Sequence, residues 1–91
     1  MYTLRTTKSF LRQARLLFRG QPELKKRFSS ISRQLMDDPF QPRLRLHPLQ
    51  GPLQGIYAVR LTYKYRIVLT CKPAEREIVL LDVGSHDEVY R

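Results

Sequence analysis

Residues 55–71 read Gly-Ile-Tyr-Ala-Val-Arg-Leu-Thr-Tyr-Lys-Tyr-Arg-Ile-Val-Leu-Thr-Cys, a stretch rich in β-branched and aromatic side chains with polar positions set among the apolar ones. That pattern predicts two strands around a turn. The alternation also fixes their register. Tyr57, Val59 and Leu61 share a face with Tyr65, Ile67 and Leu69 only if the loop holds an odd number of residues, such as 62–64. The same pairing sets Arg60 opposite Arg66 on the less apolar face, beside Ala58 and Thr70. Like charges directly across a strand pair repel. Either both guanidiniums splay into water or an anion such as a phosphate offsets them.

Residues 2–5 alternate Tyr2 and Leu4 against Thr3 and Arg5, the pattern of a short strand that could join the same sheet, and Thr6 or Thr7 caps the helix that follows. In residues 8–19, Phe10, Ala14 and Leu17 recur at helical spacing, with Leu11 and Phe18 flanking them and Arg12, Arg15 and Arg19 outside the stripe. Gly20-Gln21-Pro22 ends this helix and starts another. Residues 22–36 carry Leu24, Phe28, Ile31 and Leu35 as one stripe, with Lys25, Lys26, Arg27 and Arg33 off it. So short a connection predicts an antiparallel pair whose stripes cover the apolar side of the strands.

Asp37-Asp38-Pro39 stops the second helix. Residues 40–55 hold three of the six prolines and two of the four glycines and read as a long ordered loop, in which Arg43, Arg45 and His47 alternate with Leu44 and Leu46. After the hairpin, residues 72–76 turn into 77–83, a nearly continuous apolar run expected to be a central strand covered on both faces. Gly84 releases the chain into a tail, 85–91.

Composition adds three constraints. Ninety-one residues suit one domain, 1–91, with a single core. Apolar stretches are broken by charge well short of the ~20 residues of a membrane span, and no basic-then-apolar leader is present, so a soluble cytoplasmic protein without a membrane partner is expected. The single cysteine, Cys71, allows neither an internal disulfide nor a cysteine-based metal site and reads as a small buried apolar residue.

Charge is the most uneven property of the chain. The net charge is +9, and residues 1–46 hold eleven Lys and Arg against three acids, whereas 47–91 hold six against five. A field of this kind suits nucleic acid, an anionic membrane or an acidic protein partner.

The phrases His47-Pro48-Leu49-Gln50-Gly51, Tyr57-Ala58-Val59-Arg60-Leu61, Tyr65-Arg66-Ile67-Val68-Leu69 and Val83-Gly84-Ser85-His86-Asp87-Glu88-Val89-Tyr90, in the order strand, two helices, loop, three strands and tail, resemble the RelE/ParE superfamily of bacterial toxin-antitoxin toxins. The resemblance spans nearly the whole chain. It implies an α+β fold with a small twisted, mainly antiparallel four-stranded sheet, covered on one face by the N-terminal helix pair. It also implies a cognate antitoxin in a toxin-antitoxin hetero-oligomer. RelE-like members cut messenger RNA in the ribosomal decoding site; ParE-like members poison DNA gyrase instead.

Metal-free RNA cleavage needs a base for the 2′-hydroxyl, cations for the growing phosphorane charge and an acid for the leaving 5′-oxygen. Carried over from the YafQ-like relatives, His47, His86 and Tyr90 belong to the active site. Arg60 and Arg66 stand where RelE has a basic residue and an arginine. The histidine and aspartate that YafQ-like members use from the central hairpin are absent here, so the site is mixed: Arg60 and Arg66 clamp phosphate and His86 transfers a proton, helped by His47 or Tyr90. Spacing alone favours a surface histidine and a core-anchoring tyrosine for His86 and Tyr90, and it is the resemblance that reverses this; His47, before a proline, also reads as a residue that hydrogen-bonds its own loop. Asp82, Asp87 and Glu88 are one strand-end carboxylate and an adjacent pair at a turn, so no metal and no cofactor are expected. A non-catalytic RNA-binding module would use the same arginines and tyrosines.

Overall fold

In the computed structural model, which describes residues 1–49 and 55–89 apart from the side chain of Glu88, the alternating stretch forms the expected hairpin. In chain order the elements are β1 (Thr3–Thr6), α1 (Lys8–Phe18), α2 (Pro22–Asp37), β2 (His47–Pro48), β3 (Ile56–Arg60), β4 (Tyr65–Lys72), β5 (Glu77–Ser85) and α3 (His86–Val89), with single 3-10 turns at Pro42–Leu44 and Pro73–Glu75. The strands make one sheet in the order β1-β5-β4-β3-β2. β1 runs parallel to β5 and every other pair is antiparallel.

The sheet therefore has five strands where four were expected. The extra one, β2, is a two-residue pairing of His47 with Ala58 and Pro48 with Tyr57, inside the stretch read as loop. A residue before proline is driven toward extended backbone, and proline lacks a ladder donor, so such a dipeptide fits an edge strand and nowhere deeper. Residues 50–54, the remainder of that loop, lie outside the described residues.

Packing of the two layers follows the apolar stripes. Phe10 and Ala14 of α1, Leu24, Ile31 and Leu35 of α2 and Leu44 of the first 3-10 turn bury against Val59, Leu61, Ile67, Leu69, Cys71, Ile78, Leu80 and Val83 of the hairpin and β5. Phe28 binds the helices to each other, its ring 5.6 Å from Phe10 and 5.3 Å from Phe18. Gly20 takes the left-handed backbone (φ 69°) that the tight connection requires. Burial pushes the Cys71 thiol above its ordinary pKa, which keeps it protonated and unreactive near neutral pH.

β5 departs from expectation in a way that bears on the site. Val68 pairs with Asp82 but Leu69 pairs with Leu80, so Leu81 is an extra residue and the strand bulges there. The bulge explains the unbroken apolar run: Ile78 and Leu80 face the helices, and after the slip Val83 does too. Val79 and Leu81, on the other side, are only half-buried, so the strand is not covered on both faces as expected. Thr7 ties the bulge to α1. Its hydroxyl accepts the Phe10 N–H (3.0 Å) as N-cap and donates toward the carbonyls of Leu80 (3.3 Å) and Leu81 (3.2 Å), while its own N–H binds Leu80 O at 3.1 Å.

Among the described residues no helix is long and apolar enough to cross a membrane. Among the described residues one buried side-chain polar atom lacks a partner: Ser32 Oγ, on the core side of α2. A buried hydroxyl that gives up water for nothing is destabilising, and alanine is the better helix former. Ser32→Ala is therefore expected to raise stability by about 1 kcal/mol, read as a higher denaturation midpoint at unchanged slope; a lower midpoint would show that the hydroxyl is satisfied in solution.

Candidate active site

Because Val59, Leu61, Ile67 and Leu69 enter the core, Ala58, Arg60, Arg66 and Val68 must project from the opposite face of the sheet. Two rows cross it. In one, Arg60 pairs with Arg66 and Arg66 with Gly84; in the next, His47 pairs with Ala58, Ala58 with Val68 and Val68 with Asp82. Ala58 and Val68 are buried. Opposite Arg66, Gly84 contributes no side chain.

The Arg66 guanidinium turns toward the hairpin tip. Arg66 Nη1 lies within hydrogen-bond distance of the carbonyl oxygens of Thr62 (3.1 Å), Tyr63 (3.2 Å) and Tyr65 (3.3 Å). The two paired guanidiniums thus do not both splay into water. The carbonyls of Thr62, Tyr63 and Tyr65 draw one guanidinium away. Arg60, half-buried, makes no hydrogen bond or ion pair among the described residues, and it is the cation of the pair left facing the open sheet.

The two histidines flank this pair. His86 opens α3, directly after Ser85, whose partner on β4 is Tyr65, so it stands at the same end of the sheet as Arg60 and Arg66. Its side chain is 66% exposed, with Nδ1 3.8 Å from Asp87 Oδ1. His47 stands on β2, three strand spacings from β5, or roughly 14 Å at ~4.8 Å per strand. Its Nδ1 lies 2.9 Å from the carbonyl oxygen of Arg45. A carbonyl only accepts, so Nδ1 is the donor in this contact. That contact also holds His47 to its own loop, the second of the two roles its sequence allowed.

Asp82 spends a carboxylate oxygen on the N–H of Val83 (2.8 Å), a local cap. Among the described residues no three His, Cys, Asp or Glu side chains gather in a way that would hold a metal ion. Tyr90 lies outside the described residues. One exposed feature went unread in the sequence: Tyr63, at the hairpin tip, is 89% exposed on a loop that Arg66 holds from below. Its signal was an aromatic in a turn position where Gly, Asn or Asp is usual.

No protein-family model matches the sequence, and no curated protein does. Solved structures do. Over the full length of both chains the fold superposes on YafQ from E. coli strain BL21(DE3) with a TM-score of 0.80 at 11% identity. The YoeB/ParE toxin of Agrobacterium tumefaciens gives 0.79 at 20% identity, with 94% of this chain and 99% of that one covered. A metal-bound toxin from Helicobacter pylori gives 0.76 at 27% identity, with 98% and 99% covered. YafQ as solved in the E. coli DinJ-YafQ complex gives 0.82 at 11% identity, with both chains fully covered.

The chain has the RelE/YafQ-like toxin fold.

In this version of the toxin fold the helix pair covers one face of the sheet and leaves Arg60, Arg66 and the strand ends bearing His47 and His86 outside that cover. The two arginines are not equivalent, and stability separates them. Arg66→Ala strips three carbonyls of a charged donor and is expected to cost about 1 kcal/mol, a value reduced for partial exposure. Arg60→Ala removes only a like-charge neighbour and is expected to be neutral or stabilising by a few tenths of a kcal/mol. Urea denaturation of the two variants checks this. Equal losses would mean that Arg60 also serves the fold.

Proposed function

We propose that this chain is the toxin of a two-gene toxin-antitoxin module, a ribosome-dependent endonuclease that cuts messenger RNA in the decoding site without a metal. The observation that carries the reading is the juxtaposition, on the uncovered side of a toxin fold, of Arg60 with the strand end that bears His86. The likeness to YafQ and to the YoeB/ParE toxin supports the toxin part of it.

The chemistry assigned to these residues is transesterification. The 2′-oxygen of a ribose attacks the adjacent phosphorus, the O2′–P bond forms as the P–O5′ bond breaks, and a 2′,3′-cyclic phosphate and a 5′-hydroxyl result. Arg60 holds the charge that develops on the non-bridging oxygens. His86 moves one of the two protons, from the 2′-hydroxyl or to the leaving 5′-oxygen, and Tyr90 or His47 serves the other. Arg66 contributes mainly by keeping the hairpin in shape, with its remaining charge near the phosphate.

The antitoxin has a surface to match. Between α1 and α2 an open groove of about 600 Å³ has Phe10, Ala14, Phe18 and Phe28 along it and Arg15, Arg19 and Lys25 around it. Apolar floor and basic rim suit an acidic amphipathic segment of the cognate antitoxin, whose anions would meet the rim while its apolar side fills the floor. The E. coli DinJ-YafQ complex supports such a partner, and the assembly would be a toxin-antitoxin hetero-oligomer.

Gyrase poisoning and non-catalytic RNA binding are the competing activities, and one measurement divides them. On programmed ribosomes, single-turnover cutting should yield products ending in 2′,3′-cyclic phosphate, and His86→Gln should slow it by ~10²- to 10⁴-fold while ribosome binding persists. Intact messages together with altered plasmid supercoiling would replace the nuclease by a gyrase inhibitor; RNA retained without product would leave a binding module. Arg60→Ala should lower ribosome affinity and reduce the slope of log affinity against log salt by ~1. An unchanged slope would remove Arg60 from phosphate.

A further inference from the structure

A second opening lies around the hairpin from the open face. Between the tip of the β3–β4 hairpin and the start of α2 is a pocket of about 480 Å³ bordered by Tyr63, Thr62, Tyr65, Arg27, Gln21 and Glu23. Its wall on the hairpin side is unusually well fixed for a loop tip. Thr62 Oγ1 accepts the N–H groups of Lys64 and Tyr65, both at 3.2 Å, and the Arg66 guanidinium gathers the carbonyls of Thr62, Tyr63 and Tyr65. The opposite side is joined to it, since Arg27 Nε donates to Leu61 O at 3.1 Å.

The three tyrosines of the hairpin are used differently. Tyr57 and Tyr65 pack against the core, and Lys64 Nζ sits 5.3 Å from the centre of the Tyr65 ring. Tyr63 alone offers an uncovered ring, on a loop already paid for in entropy by its hydrogen bonds. Lys64 is the neighbour of Tyr63 in the chain, Arg66 Nη1 binds the Tyr63 carbonyl oxygen at 3.2 Å, and Arg27, whose Nη groups have no partner among the described residues, borders the same pocket. An aromatic face among cations is what single-stranded nucleic acid takes up, the ring stacking a base while the cations follow the phosphates. Glu23, on the far wall, repels phosphate and accepts N–H groups, so it favours a base edge pointing inward and a backbone that stays on the arginine side.

We propose that this pocket binds one nucleobase of single-stranded RNA, stacked on Tyr63, as a subsite flanking the position where Arg60 holds the phosphate. Arg66 acts there as a positioning residue, through the loop. The subsite rests on the reading of the chain as an RNA-directed toxin but not on cleavage, and the test keeps the two apart.

The probes are a labelled single-stranded RNA decamer and an abasic decamer with the same ribose-phosphate backbone, titrated into the purified chain. Tyr63→Ala is expected to weaken the RNA decamer roughly 5- to 150-fold, the range for loss of one base stack, and to leave the abasic decamer unchanged. Tyr63→Phe, which keeps the stacking surface, should bind both as the wild type does. The chain has no tryptophan, so Tyr63→Trp supplies a single indole, and its emission should fall saturably with the RNA decamer and not with the abasic one. Wild-type affinity in Tyr63→Ala, equal loss on both decamers, or no binding of the RNA decamer by the wild type would overturn the subsite. So would a Tyr63→Ala defect confined to antitoxin binding. Stacking without any cleavage would sustain the subsite and defeat the nuclease.

Discussion

The face assignment of the β3–β4 hairpin is the constraint on which the rest depends. Four of its side chains, Val59, Leu61, Ile67 and Leu69, are fully buried. Slipping the register or turning the strands over would return them to water at ~1.5 to 3 kcal/mol each. Arg60 and Arg66 facing one another costs less than one such residue. Burial wins by a wide margin, so the paired guanidiniums are a consequence of the core that the sheet must accommodate, and the open face acquires its cations without any cost beyond that repulsion. The carbonyls at the hairpin tip then absorb part of it.

Much of this was legible in the sequence because period and burial speak to each other directly. The stripes Phe10, Ala14, Leu17 and Leu24, Phe28, Ile31, Leu35, the three-residue loop, and Arg60 opposite Arg66 all follow from which residues avoid water. What did not follow has a different physical origin. A two-residue strand such as His47–Pro48 has no period to read. The bulge at Leu81 hides inside an apolar run, where every position looks equally fit for the core. The turn of Arg66 toward Thr62, Tyr63 and Tyr65 is a rotamer choice made by carbonyls whose positions exist only once the loop has closed. At the candidate site, therefore, the pairing of Arg60 with Arg66 was readable and the turn of Arg66 away from it was not.

The charge that dominates the composition sits mostly elsewhere. Arg12, Arg15, Arg19, Lys25 and Lys26 are exposed on the helix layer, while Arg5 of the open face is already paired with Glu77 at 3.5 Å. With a screening length of ~8 Å in physiological salt, the helix charges act on whatever approaches that layer and only weakly on chemistry across the sheet. On the proposed function their part is attraction, of an acidic antitoxin or of an RNA-rich surface, two partners that would compete for the helix layer. The open face has to work with few cations, close at hand and differently employed.

The bulge determines which residues arrive at that face. In a regular strand alternate positions share a side, so with Ile78 and Leu80 in the core, Asp82 and Gly84 would follow them and Val83 would be left outside. Inserting Leu81 reverses the phase: Val83 is buried, Asp82 pairs with Val68, and Gly84 comes opposite Arg66. The chain then leaves the sheet at Ser85 beside Tyr65 and begins α3 with His86. Thr7, which caps α1 and bonds to the carbonyls of Leu80 and Leu81, fixes that slip from the helix layer. The position of His86 relative to the arginines is thus set by a hydrogen bond on the opposite face of the sheet, and the helix cap, the bulge and the strand end act as one unit.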